Sequence, residues 1–217
     1  MASSPRELLA RQLVYTLHPW QQWHPSWRAR MGKALGVPAA WMEREEMPPA
    51  LVRRIYQHFQ LQPDSQDFSE RTRRTLLLIS EEASQLLLRL GLLVWWPAFA
   101  RSIDGRMRRR VEEALGQQGQ AVIAEGLERA KPLQEAFGLP RPWAGETPLY
   151  QAGYLVWCAA LNAAPQSAVA RRVRLCLPAQ WQLKHSAPPR APIAPAAAEL
   201  LPWLAERSFP QCSWLKT

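Results

Sequence analysis

Arginine supplies the densest local chemistry in this chain. Arg101, Arg106, Arg108, Arg109 and Arg110 cluster against a single aspartate, Asp104. Guanidinium groups are permanently charged, planar donors, so such a cluster suits recognition of carboxylate or phosphate. It offers neither a nucleophile nor a general base, and the residues that could are scattered. Cys158 lies in an apolar run with no companion base and reads as a core thiol. Cys176, in Arg174-Leu175-Cys176-Leu177-Pro178, has positive neighbours that favour a thiolate, yet packing is the preferred reading. His18, His24, His58 and His185 are dispersed, and no Cys/His pair has metal-ligand spacing. GQQGQ (Gly116–Gln120) lacks the lysine and preceding strand of a phosphate loop. Glu43, Glu45 and Glu46 read as a solvated face. No catalytic residue, metal or cofactor is expected.

The arginines admit three readings. As a nucleic-acid site they would neutralise phosphates, with Arg71, Arg73 and Arg74 as a second patch and Trp95/Trp96 stacking on bases. As an ordinary charged helix face they would pair with Glu112-Glu113 at three- and four-residue spacing. As a docking surface they would meet an acidic protein, and this is the preferred reading. The formal net charge of +9 agrees with attraction to an acidic surface. Abundant arginine alongside alanine, proline and tryptophan also follows from GC-rich codon usage, so clustering carries more weight than the total.

The elements around these residues are helical. Leu86, Leu87, Leu88, Leu90, Leu92, Leu93 and Val94 leave almost no polar face, which predicts a helix buried on most sides and running from Glu70 to Trp95-Trp96, where Pro97 should end it. Pro97 restarts a helix that carries the arginines and ends near Gly116, and weaker helices cover residues 117–137 around Pro132. Ser4-Pro5-Arg6-Glu7 forms a capping box for a first helix to Leu17, with Leu8, Leu9, Gln12, Leu13 and Thr16 on one face. Ser26 caps a second helix to Leu35, Pro38 opens a short one over Trp41–Glu46, and Pro48-Pro49 starts another to Phe59. Residues 61–68 and 138–145 read as loops. Residues 146–163 form a second buried helix, Pro165 begins the next, and Ala196–Ser208 is the last, kinked by Pro202.

These elements predict an all-α protein, a single globular multi-helix orthogonal bundle with Pro-rich turns. Residues 1–185 form its helical domain, 186–195 a Pro/Ala-rich linker, and 196–217 a C-terminal helix and tail packing on that domain. The 217 residues include 11 tryptophans, which imply large core or interface area. Three widely spaced cysteines argue for reduced thiols, and no segment has both the length and the apolarity of a signal core or membrane span. A cytoplasmic protein is expected.

LLLRLGLLVWWPAFARSI (Leu86–Ile103), GYLVWCAAL (Gly153–Leu161), RLCLPAQW (Arg174–Trp181) and the closing PQCSWLKT resemble the SctK (YscK/PscK-type) proteins of bacterial type III secretion systems. The resemblance implies a non-enzymatic adaptor of the cytoplasmic sorting platform. It would join the cytoplasmic domain of an SctD-type inner-membrane ring protein to an SctQ-type pod protein, with an SctL-type ATPase regulator as a further partner. It also implies a place at the cytoplasmic face of the inner membrane, reached through partners only and without nucleic acid. On that basis Arg101, Arg106, Arg108, Arg109 and Arg110 are expected to meet an acidic partner surface. Trp95, Trp96, Trp203 and Trp214 are expected to supply apolar contacts, tryptophan and arginine being the usual interface anchors.

Overall fold

The structure, a computed structural model, describes residues 5–38, 40–41, 44, 46–61, 68–102, 104–138, 147–164, 166–180 and 189–216. Ser4, residues 62–67 and 139–145 of the expected loops, Glu146, Pro165, and residues 181–188, which include 186–188 of the expected linker, lie outside these. Among the described residues there are nine α-helices and no strand: α1 (Pro5–Leu17), α2 (Pro25–Leu35), α3 (Pro49–Phe59), α4 (Arg71–Arg74), α5 (Ser80–Ala100), α6 (Gly105–Phe137), α7 (Thr147–Ala160), α8 (Ala168–Leu175) and α9 (Ala194–Ser208). Short 3-10 turns at Pro19–Gln22, Thr75–Leu77 and Ser213–Leu215 connect or extend them.

The leucine-dense α5 is the axis of the molecule, packed against α6, α7 and α9. By length and composition it could cross a membrane, but 61% of its apolar window is buried inside the fold, as befits a core helix. Its start differs from expectation. The single helix foreseen from Glu70 is broken at Leu78, whose extended backbone (φ −65°, ψ 140°) separates the short α4 and its following turn from α5. The Glu82 carboxylate then caps α5 by accepting from Ile79 N at 3.0 Å. Its end differs too, because α5 continues through Trp95, Trp96 and Pro97 to Ala100. Pro97 removes the donor owed to Leu93 O, and Gln134 Nε2 on α6 replaces it at 2.8 Å. Pro132 and Pro202 are likewise accommodated inside helices, where Glu128 and Ala198, the residues whose carbonyls lose their donors, are exposed.

Two glycines set the α5–α7 distance. A Cβ on Gly91 would overlap Leu149 O, and one on Gly153 would overlap Leu87 O, so the two backbones lie directly against each other. Helix α6 has a break at Gly116 (φ 62°, ψ 178°), a conformation that favours glycine. Beyond it the chain runs beside α5 in the same sense: Gly119 lies by Arg89, Gly126 by Leu93, and Phe137 meets Trp95 edge-on at 5.7 Å.

Leu200, Leu201, Leu204 and Ala205 of α9 are buried in the same core as α5, α6 and α7. A second, smaller core gathers Trp20, Trp23, Met31, Leu35, Leu51 and Ile55 around Leu175 of α8. Trp27 Nε1 donates to Leu177 O at 2.7 Å and His24 N to Leu175 O at 2.9 Å, tying this core to the segment around the end of α8. His24, not Ser26, caps α2: its Nδ1 accepts from Ser26 N at 3.2 Å. Ser26 Oγ instead accepts from Ala179 N at 2.8 Å.

Candidate interaction surface

The arginine cluster occupies the turn from α5 into α6, and the local sequence explains its shape. Asp104 caps α6, its Oδ1 accepting from Arg106 N at 3.0 Å and Met107 N at 3.1 Å. The one acid inside the cluster is therefore committed to the backbone. Arg101, Arg106, Arg108, Arg109 and Arg110 are all exposed, while Met107, Val111 and Leu115 point into the core. Helical periodicity thus turns the cations outward. Arg101 Nε donates to Pro97 O at 2.7 Å, and Arg109 Nε to Gly105 O at 3.2 Å. Arg108 reaches Glu112 at 3.6 Å, an exposed pair that contributes little to stability. The result is a rim of positive charge whose internal bonds are all local.

The tryptophans divide. Trp95 and Trp96 are half-buried: Trp95 packs on Phe137, and Trp96 lies tilted on Phe99 at 5.8 Å, just before the arginines. Trp203 is also half-buried, but the second half of α6 covers it, with Arg129 5.2 Å from its ring centre. Trp214 corrects an expectation. It is fully buried (0% exposed), with Arg11 of α1 5.4 Å from its ring centre, so its contact is made within the molecule. The structure therefore brings Trp95 and Trp96 to the arginine end of α5 and places Trp203 and Trp214 elsewhere.

The second basic patch foreseen for nucleic acid is not assembled. Arg74 is buried, Arg71 pairs with Glu206 and Arg73 with Glu70. The thiols are poor nucleophiles: burial pushes Cys158, Cys176 and Cys212 up to about 12, and the nearby Glu82 carboxylate also raises Cys212. Among the described residues no group of His, Cys, Asp and Glu is placed to hold a metal. An open groove of about 580 Å³ lies between the starts of α2 and α5, lined in part by Trp23, His24, Arg28, Glu81 and Tyr150. Burial lowers the His24 pKa from its ordinary value, which suits its role as a neutral capping acceptor. The single face expected for Leu8, Leu9, Gln12, Leu13 and Thr16 of α1 is split: Leu8 and Gln12 are half-buried beside buried Tyr15, whereas Leu9, Leu13 and Thr16 are exposed.

Fold and surface together define an all-helical body with a charged rim. The sequence model of the family described as "YOP proteins translocation protein K (YscK)" matches residues 12–216, and the chain belongs to that family. A solved structure, the cytoplasmic domain of the type III secretion sorting platform protein PscK from P. aeruginosa, is similar at 19% identity and a TM-score of 0.50, covering 98% of each chain. At that identity it speaks for the fold alone. No curated protein matches the chain.

Proposed function

We propose that this chain is a non-enzymatic adaptor of a type III secretion sorting platform. It works in the cytoplasm at the inner-membrane face, joining an SctD-type ring protein to an SctQ-type pod protein, with an SctL-type regulator as a further partner. The observation that carries this reading is the family match over residues 12–216. The rim supplies the means: Arg101 just past the end of α5 and Arg106, Arg108, Arg109 and Arg110 in the first turns of α6 are exposed, beside half-buried Trp95 and Trp96. Arginine presents paired donors to carboxylates.

The test is capture of purified ring-protein cytoplasmic domain and pod protein by wild type and by R108E/R109E/R110E. Charge reversal should weaken capture of one partner at least about tenfold, with circular dichroism unchanged. Unaltered capture of both partners removes the arginine rim from the reading. A gel shift with duplex DNA or RNA that falls steeply with salt would favour a nucleic-acid module instead.

A further inference from the structure

The helices of the smaller core carry charge of one sign. No Asp or Glu occurs from Leu8 to Met42, from Met47 to Pro63 or from Thr147 to Ala198, so α2, α3 and α8 contain no acid. Contacts join their cations into one strip. Arg30 of α2 and Arg174 of α8 lie 5.8 and 5.2 Å from the centre of the Trp27 ring. Trp27 Nε1, Arg174 Nη1 and Arg30 Nη1 donate to three successive carbonyls, Leu177 O, Pro178 O and Ala179 O, at 2.7, 3.2 and 3.1 Å. Phe59 meets Trp27 edge-on at 6.3 Å, and next to it Arg171 Nη1 donates to Gln60 O at 3.2 Å. Lys33, three residues after Arg30, continues the strip along α2.

Arg30 and Lys33 are exposed, while Arg171, Arg174, Trp27 and Phe59 are half-buried. Among the described residues no carboxylate pairs with Arg30, Lys33 or Arg171. Burial lowers the Arg174 pKa and Arg30 lowers it further, against an opposing pull from Tyr154. Like charges held this close repel, and an acidic ligand relieves the repulsion.

Three anionic occupants can be compared. A nucleic-acid duplex is typically held through roughly 6–10 phosphate contacts, more than the four cations of the strip provide. Single strands stack their bases on open aromatic faces, whereas two guanidiniums and Phe59 already pack on the Trp27 ring. A lipid surface takes an apolar ridge beside the cations. The exposed large hydrophobic residues, Leu9, Leu13, Leu17, Trp41 and Ile79, include none on α2 or α8. Carboxylates on a protein fit, because a guanidinium grips paired oxygens and arginine beside aromatic residues is characteristic of protein interfaces.

We propose that Arg30, Lys33, Arg171 and Arg174, set around Trp27 and Phe59, form a second docking surface that takes an acidic face of a protein partner. It rests on the adaptor reading in one respect: its partner is the one that the rim does not hold. Ser84 Oγ–H donates to Cys176 O at 3.1 Å, which sets the strip near the start of α5, whereas the rim lies beyond its end at Ala100. The helix between Ser84 and Ala100 spans about 24 Å along its axis, room for two partners at once.

The test titrates purified ring-protein cytoplasmic domain and pod protein with wild type, R30E/K33E/R171E and R108E/R109E/R110E. Reversing the strip should weaken one partner about tenfold or more and leave the other within about twofold, and reversing the rim should do the converse. Strip reversal that weakens neither partner, or the same partner as the rim, overturns the proposal. Wild type that captures neither partner counts against the adaptor reading. The strip is then read with a fluorescein-labelled peptide of ~16 residues, made of glutamate, serine and one leucine. Binding lost about tenfold in the strip variant and kept in the rim variant supports the surface, whereas equal loss in both, or no binding, overturns it. Strip-dependent binding of an oligothymidylate of ~12 residues as tight as that of the peptide also overturns it, as does strip-dependent pelleting with phosphatidylserine vesicles. If circular dichroism shows the triple variant unfolded, Lys33→Glu alone replaces it, with about threefold weakening expected.

Discussion

The buried arginines and the rim arginines use the same side chain in opposite ways. Arg172 is 5% exposed; its Nη1 donates to Tyr15 O at 2.8 Å, and its guanidinium lies 4.0 Å from the Tyr15 ring centre. Arg74 donates to Phe68 O at 2.8 Å and Ser69 O at 3.0 Å. Arg89 donates to Ser208 O at 3.3 Å and lies 5.5 Å from the Phe209 ring centre, with its pKa lowered by burial. Among the described residues none of the three pairs with a carboxylate. Carbonyl dipoles and aromatic faces meet the charge instead. Arg172 and Arg89 stitch segments 157 and 119 positions apart, while Arg101, Arg108 and Arg109 of the rim each reach four residues away. Charge placed inside holds the chain together, and charge left outside makes only local bonds.

Substitutions can break this contrast from the inside outward. The wall that carries Arg89 should suffer most from Gly153→Ala, because the new methyl meets Leu87 O and flexible side chains cannot absorb the overlap. A loss of about 4 kcal/mol, or failure to fold, is expected in urea titrations. Arg172→Ala comes next at about 3 kcal/mol, since it opens a cavity and removes the guanidinium that donates to Tyr15 O and covers its ring. Arg172→Lys should recover less than half of that, because an ammonium cannot stack on Tyr15. Full recovery by lysine would mean that charge, not shape, is what the core needs there.

Gln134→Leu isolates the cost of carrying α5 through Pro97. It leaves Leu93 O without a donor and should lower stability by about 1–2 kcal/mol, read as a drop in Tm. Smallest are Arg108→Ala, Arg109→Ala and Arg110→Ala, each within about 0.5 kcal/mol of wild type in the same titrations. A rim substitution costing as much as Arg172→Ala would erase the distinction.

The helical class was legible because apolar periodicity and proline starts are local signals. The segment from Pro49 to Phe59 and the ends of α1, α2 and α9 at Leu17, Leu35 and Ser208 follow them closely. The passage of α5 through Pro97 was not legible, since the compensating donor lies 41 positions from Leu93. Nor was the inward face of α1. Leu8, Gln12 and Tyr15 compete there with Leu9, Leu13 and Leu17, and distant partners such as Phe68 and Glu82 decide between them. The rim was readable as a charge cluster, but the fate of Arg74 was not.

Sequence alone settled the helical composition, the outward arginines around Asp104 and the scatter of reactive side chains, because each rests on neighbours within a few residues. Tertiary structure decided which arginines and tryptophans are interior. Arg11 covers Trp214 from across the whole chain, and Leu175 completes a core built from residues more than a hundred positions earlier. Burial is a property of segments meeting in space, and no local pattern encodes which segments will meet.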